Sequence, residues 1–308
     1  MNSYISNSRR YAAYLVAASI GLAAAFAGLT EAVVRSLRGN VIDSQDAMLK
    51  KLRNETRIDA AFGDSQMVYA IDDDVFSVFA QQDDDNETIA WKIETYFADK
   101  TPGRILVQIG AHMLSPSRTA AGAVARKRIE QVQPEFWLLD PAIRGEFVEY
   151  WYVFFRRPDY ANAQARESRG AIPLFRRDLD YTSDAGMLKA AKFLADRYAP
   201  LPPERAASSE GLAAYLKAVR NLHRRGAKIC MVQLPYAPQY RAETNSREDF
   251  RLADRLIADI AARENWHVVD LRSLSDDLRD YTDPTHLNRL GQLKFFPKML
   301  AECFAGGR

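Results

Sequence analysis

The chain is poor in several things, and each scarcity removes a class of function. Only two cysteines occur in 308 residues, Cys230 and Cys303. They build neither a disulfide framework nor a cysteine-rich zinc site. A single bridge between them is chemically open, but the sequence does not imply it. Cys230, inside an apolar run, reads as a small buried hydrophobe. The four histidines form no H-E-x-x-H and no close pair, so no metal is expected. Neither a G-x-G-x-x-G nor a P-loop occurs, which argues against a nucleotide, and no other cofactor is expected. An excess of one charge is missing too. With 42 Lys+Arg against 40 Asp+Glu, the formal net charge is +2. Nucleic-acid binding calls for a strong basic excess, so that partner class is excluded. No internal repeat appears, and the one charge run, Asp83-Asp84-Asp85, reads as a solvated turn. The chain does not lack apolar residues: at 47% hydrophobic and 27% charged it is expected to fold.

Those apolar residues are unevenly spread. Residues 11–30 (YAAYLVAASIGLAAAFAGLT) carry no charge. About 20 residues at 1.5 Å rise cross a hydrocarbon core of roughly 30 Å. An uncleaved signal anchor is expected, because the apolar region of a cleaved signal usually stops at about 7–15 residues. Ala25-Phe26-Ala27 offers a small-x-small cleavage pattern as the alternative, and a buried soluble helix is a third. Arg9 and Arg10 precede the run, while Arg35, Arg38, Lys50, Lys51 and Arg53 follow it, so charge counting leaves the orientation open.

Residues 1–35 thus read as a cytoplasmic tip and anchor, and 36–55 as a polar, partly helical connector. Residues 56–308 read as one α/β domain. Strands are expected at 58–62, 104–109, 228–234 and 267–271. Three of these are short, nearly continuous apolar runs, as in a parallel sheet covered on both faces. Between them, 211–225 and 250–265 repeat apolar residues at helical spacing, the first ending at Gly226. Helix, glycine, strand, proline, helix, strand is βαβ grammar and predicts a three-layer fold. The grammar lapses over 115–209, where 146–160 reads EFVEYWYVFFRRPDY. A helical insertion that packs its aromatics on the core is expected there. The alternative is a cap or docking surface for a membrane or partner protein.

Two short motifs carry chemistry. Gly63-Asp64-Ser65 follows the first strand, and open parallel sheets bind ligands beyond the carboxyl ends of their strands. A serine there can be a nucleophile, and its own N–H can face a developing oxyanion. Asp283-Pro284-Thr285-His286-Leu287-Asn288 follows the last strand. His286 is the candidate general base, with Asp283 folding back to hold its Nδ1–H. Of the other histidines, His223 reads as solvated and His267 as structural. Asn86-Glu87-Thr88 matches a glycosylation acceptor, without the context that would give it meaning.

The pair of motifs resembles the SGNH/GDSL esterase superfamily, over roughly residues 55–300. Gly291 after His286-Leu287-Asn288 adds to the likeness. The resemblance implies a flavodoxin-like three-layer fold and transfer or hydrolysis of acyl esters. It assigns Ser65 as nucleophile, with Asp283 and His286 completing the triad. Two departures stand out. No glycine lies between Gly63 and Gly103, where the family's second block supplies an oxyanion N–H. The third block, G-x-N-D, is replaced by Gly110-Ala111-His112-Met113. Gly110, His112 and Asp64 are therefore the candidate oxyanion or substrate-binding residues, with a polar loop contact as the plain alternative for His112. An anchor on an atypical domain of this kind is similar to extracytoplasmic proteins that work with membrane-bound O-acyltransferases to acylate envelope polymers. Alginate O-acetylation proteins and the D-alanylation protein of teichoic acid synthesis are examples. That likeness implies an acyl ester of a polysaccharide as substrate, such an acyltransferase as partner, and N-terminus inside with the domain outside. The opposing reading is a non-catalytic glycan-binding partner of such a complex, and the plainest is a flavodoxin-like domain with two accidental motifs.

Overall fold

The computed structural model describes residues 2–81, 84–120 and 183–304. The side chains of 1–10 and 33–47 lie outside that description, as does the aromatic run at 147–155. The chain divides into two units, 1–47 with 131–174, and 48–130 with 175–308.

In the first unit the described element is the start of helix α1 (Asn2–Asn54), which is helical through the connector at 36–54. Its stretch Tyr11–Ala32 has mean hydropathy 1.9, and apart from Thr30 its residues are not buried. At 1.5 Å per residue its 22 residues reach about 33 Å, enough to cross a membrane. A core helix of a soluble protein would bury that face, and this one leaves Leu15, Ile20, Leu22 and Phe26 exposed.

The second unit is built on a five-stranded, all-parallel sheet. Its strands are β1 (Ala60–Asp64), β2 (Ser77–Gln81), β3 (Arg104–Gln108), β4 (Lys228–Gln233) and β5 (His267–Asp270), in the order β2-β1-β3-β4-β5. Four of the five were expected. β1 begins two residues later than expected, leaving Ile58 exposed and bringing Gly63 and Asp64 into the strand. β2 was not anticipated. It is an edge strand paired only to β1, with polar Ser77 and Gln81 at its ends.

Strand residues alternate between two cores, as the two-residue period demands. Ala60, Phe62, Ile105, Val107 and Met231 join one core with residues of α3 (Asn86–Tyr96), α7 (Glu210–Arg224) and α9 (Glu248–Glu264). Ala61, Leu106, Cys230 and Val232 join the other with α2 (Ser65–Ala70) and α10 (Arg289–Phe304). Helices on both faces explain why the strands read as apolar runs rather than alternating ones. α7 ends at Arg224, and Gly226 takes the left-handed φ of 84° that turns the chain into β4. The described ends of the 115–209 segment are helical: α4 (Pro116–Thr119), α5 (Asp184–Arg197) and α6 (Pro203–Ala207). α8 (Pro238–Ser246) and a small antiparallel pair, β6 (Tyr281–Asp283) and β7 (His286–Leu287), complete the unit.

Two readings need correction. The acidic turn is not solvated: Asp84 and Asp85 are buried, while Asp83 lies outside the described residues. Asp84 pairs with buried Lys92 at 2.6 Å and accepts the Gln81 N–H at 2.7 Å, and Asp85 caps α3 through the Thr88 N–H. A buried carboxylate needs such partners, and Lys92 came into range only when α3 folded. Cys230 is also not a free small hydrophobe, since it is disulfide-bonded to Cys303 of α10. Asn86 is fully buried and donates to the Met113 carbonyl, so the glycosylation pattern is not accessible. His223 is exposed, and His267 reaches the Glu302 carbonyl at 3.1 Å, tying β5 to α10.

Candidate active site

β1 connects outward to β2 on one side, whereas β3 connects to β4 on the other. The strand order therefore reverses between β1 and β3, the point beyond whose carboxyl ends open parallel sheets bind ligands. Asp64 ends β1, caps α2 by accepting the Gln66 N–H at 3.0 Å, and leaves Ser65 as the first residue of that helix. Ser65 is half-buried. Gly63 is required by its surroundings: a Cβ there would lie 2.3 Å from Gln108 Oε1 and 2.3 Å from Met67 Cγ.

The β6–β7 pair packs against α2 and brings the second motif to the serine. His286 Nε2 lies 2.8 Å from Ser65 Oγ, and its Nδ1 lies 2.7 Å from Asp283 Oδ2. The other oxygen of Asp283 accepts the N–H groups of Thr285 at 2.8 Å and His286 at 3.0 Å, and the Thr285 hydroxyl at 3.0 Å. Burial opposes ionisation of Asp283, but His286 and these donors hold its carboxyl below the ordinary range. Burial likewise opposes the imidazolium, yet Asp283 outweighs it and raises His286. An ionised Asp283 places the proton on Nδ1, so Nε2 presents a lone pair to the Ser65 hydroxyl. Chemically this arrangement can take a proton from Ser65 and return it to an oxygen bound beside His286.

The tentative residues lie elsewhere. Asp64 is 3% exposed, and its Oδ2 is 3.2 Å from both Arg118 and His112 Nε2. Burial alone would raise its pKa; Arg118 first, then His112 and the Gln66 N–H, hold it far below the usual carboxylate value. His112 Nε2 is also 3.2 Å from the Gln108 amide nitrogen, and Nδ1 is 3.2 Å from the Tyr236 hydroxyl. Asp64 and His112 thus form a polar layer beneath the turn that carries Ser65, and neither bonds the Ser65 hydroxyl. Gly110 lets the His112 ring lie against the end of β3, since a Cβ there would sit 3.0 Å from that ring.

Sequence reading missed Thr285, Gln108, Arg118, Tyr236 and Tyr69. Gln108 accepts the Asp64 N–H at 2.8 Å and donates to Gln66 at 3.0 Å. A polar residue closing the apolar run of β3 was its one visible signal. Tyr69 meets the His286 ring edge-on at 5.1 Å. Among the described residues, no group of three or more His, Cys, Asp or Glu could hold a metal ion. No protein-family model matches this chain, and no curated protein matches it significantly.

Proposed function

We propose that the chain is a membrane-anchored, extracytoplasmic acyl esterase or O-acyltransferase of the SGNH/GDSL kind. One observation carries this reading: Ser65, His286 and Asp283, from opposite ends of the domain, are joined by contacts of 2.8 and 2.7 Å. The strand order β2-β1-β3-β4-β5 is the flavodoxin-like one, which supports the same family. In this mechanism the Ser65 Oγ attacks an ester carbonyl while His286 Nε2 takes its proton. His286 then protonates the departing alkoxide, leaving an acyl group on Ser65. Water or a sugar hydroxyl enters, gives its proton to His286, and displaces Ser65, which is reprotonated. Asp283 keeps the imidazole in the required tautomer. The Ser65 N–H serves the oxyanion; His112 does not, because its nitrogens face Asp64, Gln108 and Tyr236.

Two features support the compartment in this reading. Tyr11–Ala32 is apolar enough to anchor the chain, and a Cys230–Cys303 bridge persists best in an oxidising environment. The substrate class in this reading is an acyl ester of an envelope polysaccharide, and the partner is a membrane-bound O-acyltransferase. The test is labelling with a serine-directed fluorophosphonate, with turnover of p-nitrophenyl acetate alongside. Labelling lost in Ser65→Ala, and turnover abolished in both Ser65→Ala and His286→Ala, is the expected result. Folded wild-type protein that takes no label favours the non-catalytic glycan-binding alternative, which the engagement of His112 also favours.

A further inference from the structure

Tyr69 lies four residues after Ser65, one turn along α2, so the two side chains share a helix face. Its ring stands edge-on to the His286 imidazole, with centroids 5.1 Å apart and planes at 68°. It nevertheless remains 43% exposed, whereas Tyr96, Tyr215 and Tyr240 are each at most 1% exposed. An aromatic ring held beside a candidate base yet open to solvent has a free face for a ligand.

The chemistry says which part of the ligand that is. His286 delivers its proton to the leaving oxygen, and accepts one from an incoming hydroxyl. The alcohol portion of the ester must therefore lie on the imidazole side of Ser65, and the acyl group on the other. Tyr69 borders the imidazole, so it borders the alcohol. We propose that Tyr69 forms the alcohol subsite and selects alcohols with a flat C–H face, the pyranose ring of a carbohydrate ester. This deepens the reading of Ser65 as nucleophile and rests on it. In the transfer direction a pyranose hydroxyl on Tyr69 gives its proton to His286 Nε2 as its oxygen bonds the acyl carbon. The bond from that carbon to Ser65 Oγ breaks, and Ser65 recovers the proton.

Two monoacetates that differ only in the alcohol test it: ethyl acetate and methyl 6-O-acetyl-glucopyranoside. Loss of one stacking contact should lower the ratio of kcat/KM, sugar ester over ethyl ester, about tenfold in Tyr69→Ala. The change should sit in KM for the sugar ester, and Tyr69→Phe should restore the ratio. A ratio unchanged in Tyr69→Ala overturns the subsite, because equal losses mean that Tyr69 only supports His286. Binding is read separately by NMR titration of Ser65→Ala protein with the sugar ester, with and without Tyr69→Ala. If the wild type cleaves neither ester but the sugar ester binds in a Tyr69-dependent way, the nucleophile reading fails and the subsite stands. Turnover of both esters with binding indifferent to Tyr69 keeps the nucleophile and overturns the subsite.

Discussion

A terminal nitrogen of Arg118 lies 3.2 Å from the Asp64 carboxylate, directly beneath the turn that presents Ser65, and both side chains are buried. The same guanidinium donates through its other terminal nitrogen to the Asp84 carbonyl at 2.6 Å. One cation thus ties the end of β1 to the turn before α3. Removing it leaves a buried carboxylate without its main counter-charge. Arg118→Met should cost about 3–5 kcal/mol of stability, measured as a shift in the urea midpoint. Adding Asp64→Asn should recover part of that loss. A cost below about 1 kcal/mol would mean that His112 and the Gln66 N–H suffice to hold Asp64.

The second prediction concerns pH. Asp283 raises His286 above the ordinary histidine value of about 6.5, and catalysis in the proposed mechanism needs the neutral ring. Turnover should therefore fall as pH drops through a value above about 6.5. Stability has the opposite sign for this group: the contribution of His286 is complete below its unfolded pKa and is lost as pH rises through the folded one. For Asp283 the pKa is lowered, so its contribution is present above about 3.9 and lost as pH falls through the folded value. Asp283→Asn should move the acid limb of kcat/KM to lower pH and reduce kcat about 10⁴-fold. A pH–rate profile in both proteins checks this, and an unmoved limb would assign it to another group.

What could be read in advance follows from which interactions are local. β1, β3 and β4 declare themselves because helices cover both faces and leave apolar runs, and β5, at the other edge, shows only the pair Val268-Val269. β2, at the edge and bounded by Ser77 and Gln81, has too short an apolar stretch to stand out. Ser65, Asp283 and His286 are visible because two short motifs carry them. Arg118 and Tyr236 leave no pattern, and Gln108 only a polar end to the apolar run of β3, because their partners come from separate elements and only folding brings them together. The acidic turn misleads for the same reason: a charge run looks solvated until Lys92 is placed beside it.

The disulfide yields a third prediction. Cys230 in β4 and Cys303 in α10 are 73 residues apart, so the bridge closes a long loop of the unfolded chain. Chain-entropy arithmetic for such a loop gives about 4 kcal/mol. Cys303→Ser should lose roughly that amount in urea denaturation, and dithiothreitol should bring wild type to the same midpoint. If the reductant leaves the wild-type midpoint where it was while Cys303→Ser lowers it, the loss belongs to packing of α10 rather than to the bridge.

The last prediction isolates the turn that carries Ser65. In Gly63→Ala the new methyl would meet Gln108 Oε1 and Met67 Cγ at 2.3 Å, and Gln108 Cβ at 2.8 Å. Gln108 cannot swing away cheaply, because its amide accepts the Asp64 N–H and donates to Gln66. The strand end must shift instead, at a cost of about 1–3 kcal/mol, and Ser65 moves with it relative to His286. Gly226→Ala is the control: its φ of 84° strains any other residue, but a Cβ there has nothing within 4 Å. Placing alanine in the left-handed region costs about 1–2 kcal/mol, at the turn between α7 and β4. Both variants should therefore lower the urea midpoint to a similar degree, while only Gly63→Ala lowers kcat for p-nitrophenyl acetate. Equal kcat in the two would show that the Ser65–His286 contact tolerates displacement of the β1 end, and that Gly63 serves packing alone.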